Sequence, residues 1–338
     1  MEERLDIRHL SVSFDTPRGR VEAVRDVSLT LHSGEVLALV GESGCGKSVL
    51  CKAIMKLLPK TARVEAEQIL LDGTDIAHCT EREMCRLRGS AFSMVFQDPM
   101  TALDPTMTIG TQIAEAVRVH QRGISRDALH ARVLELMRLT GIEQPEARAR
   151  LYPHSFSGGM RQRVVMAIAL ASRPKILLAD EPTTSLDVTI QAQILDLLRE
   201  VQQTCDTATI LVSHDLGVVA RAADRVAVMY AGKIVEIGTA EEIYYDLRHP
   251  YTWGLLQSLP ALRRRSEPLY TIGGMPPTLI DPPQGDAFAC RNPYALDIDY
   301  EQAPPMFQIT PTHFAATWLL DPRAPKIKPP VGGLQGEG

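Results

Sequence analysis

One stretch limits the possible folds of this chain more than any other. It runs from Ala38 to Ile54 and reads ALVGESGCGKSVLCKAI. The apolar residues at its start predict a buried strand, and the apolar pattern after Lys47 predicts a helix. The glycines between them let several backbone N–H groups turn toward one point, where the positive end of the helix dipole adds to their effect. This arrangement is typical of a loop that binds phosphate.

The spacing within this stretch is also specific. Gly41, Gly46, Lys47 and Ser48 fit the pattern G-x-x-x-x-G-K-[ST], in which the lysine reaches the β- and γ-phosphates and the serine hydroxyl ligates Mg²⁺. The alternative is a glycine turn that only links a strand to a helix, and the strand before it and the helix after it make this alternative weak. The residues predicted to surround the phosphates are Gly41, Glu42, Ser43, Gly44, Cys45, Gly46, Lys47, Ser48 and Val49.

A second stretch, ILLADEP at residues 176–182, predicts a buried strand that ends in two carboxylates. Asp180 would hold Mg²⁺, directly or through water. Glu181 would orient and deprotonate an attacking water, since a hydrolase needs a base near the metal but not on it. The alternative is that the two carboxylates only end a strand in a solvated turn. The order of the two motifs in the chain favours an NTPase.

Composition excludes several classes of protein. The chain has 338 residues, 45% hydrophobic and 23% charged, with a net charge of −5, so it has no basic field for nucleic acid. The six cysteines have no CxxC spacing and are expected to be reduced thiols. The first ten residues, MEERLDIRHL, lack the apolar core of a signal peptide. The longest apolar run, VVMAIALA from Val164, is far shorter than the roughly 20 residues that span a bilayer.

The order of predicted elements indicates an α/β fold. Strand patterns cover residues 5–40, buried strands are predicted at KILLAD and ATILVSHD, and a helix is predicted between them. RVAVMYAGKIVEIG predicts a hairpin with its turn at Ala231 and Gly232. Proline and glycine become dense after about residue 260. We therefore expect a mostly irregular C-terminal extension, with a disordered tail after about residue 329.

Four further motifs carry a resemblance to a known family. SFSGGMRQRVVMAIAL from Ser155, TSLDV from Thr184, VSHD with His214 and MVFQDP with Gln97 resemble the signature, D-loop, switch and Q-loop of ATP-binding-cassette ATPases. They stand in the family's order over roughly residues 5–260. The resemblance implies a P-loop NTPase cassette with a mixed or parallel core sheet, an antiparallel β subdomain and an α-helical subdomain at about 98–165. It divides the chain into a nucleotide-binding domain (1–260) and a C-terminal extension (261–338).

The resemblance also implies roles for particular residues. The catalytic residues would be Glu181, His214 and Gln97, the metal ligands Ser48, Gln97 and Asp180, and the adenine-stacking residue Phe14, for which a core position is the alternative. A second helix start carries Ser157, Gly158 and Gly159 and would grip the γ-phosphate of an ATP held by a partner cassette. A dimer that encloses two ATP molecules is therefore expected. The signature departs from LSGGQ at Phe156 and Met160, and both changes keep the serine and the glycines.

Several longer stretches are similar to the oligopeptide and dipeptide importer branch, in the position of its "D" ATPase subunit. They include MVFQDPMTALDPTMTIGTQI, RHPYTWGLLQSLP and the C-terminal extension. This similarity implies an ATPase that powers peptide import, together with a second and homologous ATPase, two permeases and an extracellular binding protein. The expected location is the cytoplasmic face of a bacterial or archaeal membrane. Import of a nickel chelate, glutathione or a cationic peptide remains an alternative.

Rival classes fit the sequence less well. A soluble cassette ATPase of DNA repair would carry a long coiled coil, for which the interval from Gln97 to Ser157 has no room. A translation-type member would carry two cassettes in one chain. A P-loop kinase has no use for the SGG motif or His214, and an exporter cassette would carry fused membrane spans.

Many members of the branch hold an iron–sulfur cluster on cysteines of the extension. Here the comparable places are Asn292, Asp299 and Thr317, and the remaining Cys290 is out of register. Such a cluster needs several thiolates, so we expect none. Apolar contacts are expected to hold the extension instead, from Tyr294, Leu296, Phe314 and Trp318. The segment MTALDPTMTIG is expected to line the permease docking groove or, alternatively, to fill the core of the helical subdomain.

Overall fold

The computed structural model describes residues 2–184, 186–259 and 270–330. The chain forms two compact units. The first comprises His78–Val212 and two short segments near the N-terminus, and the second comprises Leu5–Thr30, Leu37–Ala77 and the described residues from Ser213 onward. The boundary predicted between residues 260 and 261 lies outside the described residues, as does the predicted disordered tail from residue 331 onward.

The second unit contains an antiparallel sheet. Its strands are β1 (Glu3–Thr16), β2 (Gly19–His32), β4 (Ala62–Glu65), β5 (Gln68–Leu71) and β6 (Thr74–Asp75). They lie in the order β2-β1-β5-β6, and β4 also pairs with β1. The apolar residues Leu5, Ile7, Leu10 and Val12 of β1 are all buried. Leu5 and Ile7 have one parity along the strand and Leu10 and Val12 the other, and the positive φ of 53° at His9 interrupts the alternation between the two pairs.

A group of mixed strands in the same unit leads to the glycine-rich loop. β3 (Val36–Val40) is buried along its whole length and is followed by α1 (Lys47–Ile54). β10 (Arg225–Tyr230) pairs in parallel with β3 and antiparallel with β11 (Lys233–Thr239). The predicted hairpin turn is present, with φ angles of 46° at Ala231 and 83° at Gly232, as a tight two-residue turn requires.

The first unit combines three parallel strands with helices. β8 (Ile176–Asp180) lies between β7 (Phe92–Val95) and β9 (Ala208–Ser213). The helices are α2 (Glu81–Leu87), α3 (Pro99–Ala102), α4 (Ile109–His120), α5 (Arg126–Leu139), α6 (Pro145–Arg148), α7 (Gly158–Ala169) and α8 (Val188–Cys205). Each residue of β8 and β9 is buried, as in a sheet covered on both faces. The prediction of an α/β fold is confirmed.

The remaining elements belong to the second unit. They are α9 (Leu216–Val219), α10 (Ala240–Tyr245), α11 (Pro250–Gln257), α12 (Asp297–Glu301), β12 (Phe307–Gln308) and β13 (Phe314–Ala315). β13 pairs with β11 and with β12, so part of the extension continues the sheet. Within the described ranges, no helix has the length and apolar character needed to cross a bilayer.

Both apolar and polar contacts hold the extension. The ring of Tyr294 lies 5.5 Å from that of Trp253, and the ring of Trp318 lies 6.1 Å from that of Phe307. Phe314 contributes through the β13 pairing, and Leu296 is half-buried. The sequence did not indicate the buried polar contact in which His313 Nε2 lies 2.8 Å from Glu236 Oε1, with both side chains fully enclosed. Buried polar groups are costly without a hydrogen-bond partner, so this contact helps to hold the extension against β11.

Candidate functional site

The loop between β3 and α1 has a backbone that only glycine can adopt at two points. Gly41 and Gly46 have φ angles of +154° and +108°. A Cβ atom at either position would collide with a backbone carbonyl oxygen, that of Met229 or that of Ala23. The space beside Gly44 is open. The loop is therefore a fixed curve of bare backbone, as phosphate binding requires.

Helix α1 begins without a side-chain cap. Its N-cap is Gly46, and no acidic residue lies in its first turn, so no side chain competes with an anion for the first N–H groups. Lys47 is 4% exposed, and its Nζ donates to the carbonyl oxygens of Gly41 at 2.8 Å and Glu42 at 2.9 Å. Burial raises the pKa of the Cys45 thiol, which keeps this side chain uncharged. The loop and its lysine suit a polyphosphate.

Asp180 and Glu181 lie at the carboxyl end of β8 in the first unit. Asp180 is 2% exposed. Glu181 has a φ angle of +48°, a conformation that non-glycine residues adopt rarely and that is frequent at functional sites. Its Oε2 accepts from Gln97 Nε2 at 3.1 Å and from Thr184 Oγ1 at 2.8 Å. The structure thus brings together the predicted Gln97 and Glu181.

The start of α7 carries the predicted signature residues. Ser157 is the N-cap, and its Oγ accepts from the backbone N–H of Met160 at 3.4 Å. Ser157 and Gly158 are exposed, whereas Gly159 is buried. A Cβ atom at Gly159 would lie 2.6 Å from Ile190 Cγ2, but one at Gly158 would lie 3.6 Å from Leu186 Cδ2, an ordinary contact. Gly159 therefore allows helices α7 and α8 to approach closely, and Gly158 presents backbone to the surface.

The other two predicted residues are His214 and Phe14. His214 is exposed and directly follows β9. Phe14 is half-buried on β1, opposite Ala62 of β4. Their roles stay predictions.

Sequence reasoning missed three residues that hold the site. Thr184 was noted only as part of a motif, although its place three residues after Glu181 is a local signal for a contact. Tyr251 Oη accepts from the backbone N–H of Glu42 at 2.9 Å, and Arg291 pairs with the Glu42 carboxylate. These two are separated from Glu42 by 209 and 249 residues, so no local pattern could have found them.

The three positions compared with cluster cysteines bond to local backbone. The side chains of Asn292, Asp299 and Thr317 accept from the N–H groups of Tyr294, Leu296 and Leu319, at 3.0, 2.6 and 3.3 Å. All three are at least nine-tenths buried. They act as caps of turns in the extension.

Models of two families match this chain. One, described as ABC transporter, matches residues 24–184, and the other, described as the C-terminal region of oligopeptide/dipeptide transporters, matches residues 235–298. The oligopeptide transport ATP-binding protein OppD of Bacillus subtilis (strain 168) is 55% identical over 96% of this chain and 91% of its own length. The dipeptide transport ATP-binding protein DppD of Lactococcus lactis subsp. cremoris is 53% identical over 97% and 94%.

Solved structures give the same result. The ATP-binding cassette MJ0796, described as a dimer in a post-hydrolysis state bound to ADP and Pi, has a TM-score of 0.63 and 26% identity, over 70% of this chain and 98% of its own. The cassette cbiO1 of Clostridium perfringens has the same TM-score and 27% identity, over 72% and 91%. The expected family is confirmed: the chain belongs to the ATP-binding-cassette transporter ATPases, in their oligopeptide and dipeptide branch.

Proposed function

We propose that this chain is the ATP-hydrolysing subunit that drives peptide import through a membrane transporter. The observation that carries the proposal is that one chain joins a phosphate loop and a glutamate oriented by Gln97 to a region that matches oligopeptide/dipeptide transporters. The names of OppD and DppD, which specify oligopeptide and dipeptide transport, support the peptide as solute. Nickel chelates, glutathione and cationic peptides are the alternative solutes.

ATP would bind along the loop from Gly41 to Val49. The glycine-shaped backbone, the first N–H groups of α1 and the Lys47 ammonium are the donors that a triphosphate needs. Phe14 would stack on the adenine. The switch histidine, His214, would contact the γ-phosphate.

Mg²⁺ would be held by Ser48, Gln97 and Asp180. The donor set fits this ion, since it offers a hydroxyl, an amide oxygen and a carboxylate, all hard oxygen ligands. Gln97 uses its Nε2 for Glu181, and its carbonyl oxygen takes no part in that bond. In the part of the chain that the structure describes, no three His, Cys, Asp or Glu side chains group as a metal cage. When bound, Mg²⁺ would neutralise charge on the transferred phosphoryl group.

Hydrolysis would depend on Glu181 as the general base. Hydrogen bonds from Gln97 and Thr184 to its Oε2 orient the carboxylate, which would accept the proton of an attacking water. Gln97 and His214 would then stabilise the charge that develops on the phosphoryl group.

The full assembly would contain two ATPase subunits and two permeases. Ser157, Gly158 and Gly159 would contact the nucleotide of a partner, which is a homologous sister in our proposal. The dimeric form given for MJ0796 supports this arrangement. A binding protein outside the cell would supply the solute, and the chain would act at the cytoplasmic face of a bacterial membrane.

The domain division would follow the predicted one, with a nucleotide-binding domain at 1–260, its helical subdomain at about 98–165 and an extension at 261–338. Helices α3 to α7 lie within the proposed helical subdomain or end close to it. The MTALDPTMTIG segment of this subdomain contains both exposed and buried apolar residues, since Met100 is exposed and Leu103 is buried. We assign Met100 to the permease surface and Leu103 to the core.

The extension would function without an iron–sulfur cluster. Asn292, Asp299 and Thr317 are committed to capping turns and supply no thiolate. Iron analysis of protein purified without oxygen is expected to find less than one iron per ten chains. Four irons per chain would contradict this expectation.

Peptide uptake with a Glu181→Gln variant tests the function. The chain, its sister ATPase and the permeases are reconstituted in vesicles, and ATP hydrolysis and uptake of a labelled tetrapeptide are measured. Loss of the base should slow hydrolysis by about 10² to 10⁴, abolish uptake and leave ATP binding intact. Glu200→Gln is the matched control, because Glu200 is exposed on α8. Near-normal hydrolysis would remove Glu181 from its role, and uptake of labelled nickel chelate or glutathione instead of peptide would reassign the solute.

A further inference from the structure

An arginine of the C-terminal extension reaches the phosphate loop. Arg291 Nη1 lies 2.7 Å from Glu42 Oε2, and Arg291 Nη2 lies 2.9 Å from Glu42 Oε1. The pair is therefore bidentate, which is the strongest geometry between these groups. The arginine side chain is 4% exposed and the glutamate side chain 28%. Both residues belong to the same compact unit.

The guanidinium of Arg291 is held from other sides as well. Nε donates to Gly273 O at 2.9 Å, and Nη1 donates to Tyr230 Oη at 3.2 Å. Its central carbon lies 5.7 Å from the ring centroid of Tyr230 and 6.0 Å from that of Phe288, within cation–π range. The hydrogen bonds to Glu42 are the main cause that raises the pKa of Arg291. This arginine is a fixed part of the unit and differs in this respect from a flexible surface cation.

Glu42 is also held through its backbone. Its N–H donates to Tyr251 Oη at 2.9 Å, and Tyr251 is fully buried on α11. The ring of Tyr251 lies 4.6 Å from that of Tyr230 and 5.4 Å from that of Phe288. The rings of Tyr230, Tyr251 and Phe288 thus pack together beside the contact between Glu42 and Arg291.

A glutamate in this loop is electrostatically unfavourable for phosphate binding. Glu42 follows Gly41, and its carbonyl oxygen accepts from Lys47 Nζ, so its backbone is part of the phosphate cradle. An unpaired carboxylate there would repel a triphosphate, since like charges at short range raise each other's free energy. Arg291 neutralises this carboxylate and fixes its direction.

We infer that Arg291 is a positioning residue for ATP binding, through which the C-terminal extension cancels the charge of Glu42 and fixes the direction of its carboxylate. This inference rests on the proposed assignment of Gly41 to Val49 to the nucleotide phosphates. It gives the extension a part in the ATPase cycle, because any partner that displaces Arg291 would weaken ATP binding at a distance.

Equilibrium ATP binding to the full chain tests the inference. Arg291→Gln should weaken ATP affinity by about 5- to 50-fold, the range for loss of charge-assisted hydrogen bonds. Arg291→Lys keeps the positive charge but not the two parallel hydrogen bonds to Glu42, so its ATP affinity should fall less than that of Arg291→Gln. The matched control is Arg323→Gln, because Arg323 lies in the same extension, pairs with Asp321 at 2.9 Å and is 84% exposed. Thermal melting of each variant shows whether it is folded.

A second variant separates cancellation of the Glu42 charge from simple attachment of the extension. In Glu42→Gln/Arg291→Gln no uncompensated charge remains, so ATP affinity should recover to within about threefold of wild type. Glu42→Gln alone should bind ATP at least as tightly as wild type. This measurement tests the inference even if Arg291→Gln does not fold. If folded Arg291→Gln binds ATP within twofold of wild type, or Glu42→Gln loses fivefold, the inference is wrong.

Lys47→Ala separates failure of the inference from failure of the site assignment. If Lys47→Ala binds ATP as wild type does, the loop is not the nucleotide site and the proposed assignment fails. If Lys47→Ala loses ATP and Arg291→Gln does not, the assignment stands and only the role of Arg291 is refuted.

Discussion

Helices α1 and α7 both begin in a glycine-containing turn, but their first residues are arranged differently. The N-cap of α1 is Gly46, and the next residue, Lys47, folds back over the loop with only 4% of its surface exposed. The N-cap of α7 is Ser157, whose hydroxyl bonds to Met160, and the next residue, Gly158, is exposed. In the first turn after it, Arg161 donates to Pro153 O.

The difference is the reason why we expect α1, and not α7, to hold a phosphate unaided. α1 combines a start without a side-chain cap, a rigid glycine curve and a cation from its own chain. α7 offers a hydroxyl and exposed backbone at the positive end of a helix dipole, but its own arginine is directed to Pro153. A helix start of the second kind supplements a phosphate that is already bound elsewhere, which agrees with the proposed dimer.

Substitutions at the two helix starts should affect different steps: one should weaken ATP binding by the isolated chain, and the other should slow hydrolysis by the assembled transporter. This is the largest effect expected from the comparison of the two helix starts. Lys47→Ala should weaken ATP binding by the isolated chain about 10- to 100-fold, since it removes a charged donor. Gly158→Asp should leave that affinity unchanged but reduce hydrolysis by the assembled transporter at least about tenfold, because its carboxylate would repel a partner's γ-phosphate. Binding titrations and steady-state hydrolysis measure the two effects.

The Gly158→Asp variant separates function from stability. An acidic residue in the first turn of a helix usually stabilises it, by about 0.3–1 kcal/mol, and the position has room for a Cβ atom. Loss of hydrolysis with an unchanged or higher melting temperature would therefore reflect the lost phosphate contact. Gly158→Ala is the neutral control. If Gly158→Asp weakened ATP binding by the isolated chain as Lys47→Ala does, the comparison between the helix starts would fail.

The sequence predicted the features that depend on residues close together in the chain. The glycines of the loop, the buried strands β3, β8 and β9, and the hairpin at Ala231 and Gly232 all depend on contacts between neighbouring residues or on simple periodicity. The motif order predicted the family, which the comparisons confirmed. The sequence also predicted a mostly irregular extension, because proline and glycine restrict regular elements.

Contacts between distant segments could not be predicted in this way. Arg291 meets Glu42 across 249 residues, and His313 meets Glu236 across 77. Neither pair has a local pattern, since each depends on where a mostly irregular segment passes over the sheet. The sequence predicted apolar contacts for the extension, and Trp253–Tyr294 is one. The polar contacts of Arg291 and His313 became visible only with the fold.

The start of helix α10 differs from those of α1 and α7, and a substitution there is expected to have a smaller effect, on stability. Glu242 completes a capping box with Thr239 and also accepts from Thr310 at 2.5 Å and Thr312 at 2.9 Å. Burial opposes ionisation of Glu242, but these hydrogen bonds, from Thr310, Thr239 and Thr312, outweigh it and lower its pKa from 4.5 to about 2. Here side chains cap the helix start, whereas α1 begins without a side-chain cap.

The low pKa of Glu242 fixes the sign of its effect on stability. Because the carboxylate binds its proton more weakly in the folded state than in the unfolded state, it stabilises the fold fully above pH 4.5, and this contribution is lost as the pH falls from 4.5 toward 2. Glu242→Gln should cost about 1 kcal/mol at pH 7, typical of a lost cap, and less at pH 3.5. Urea unfolding at both pH values measures the difference, with the exposed Glu241→Gln as control. An equal cost at both values would mean that the ionised carboxylate does not hold this helix start, and α10 would then no longer contrast with α1.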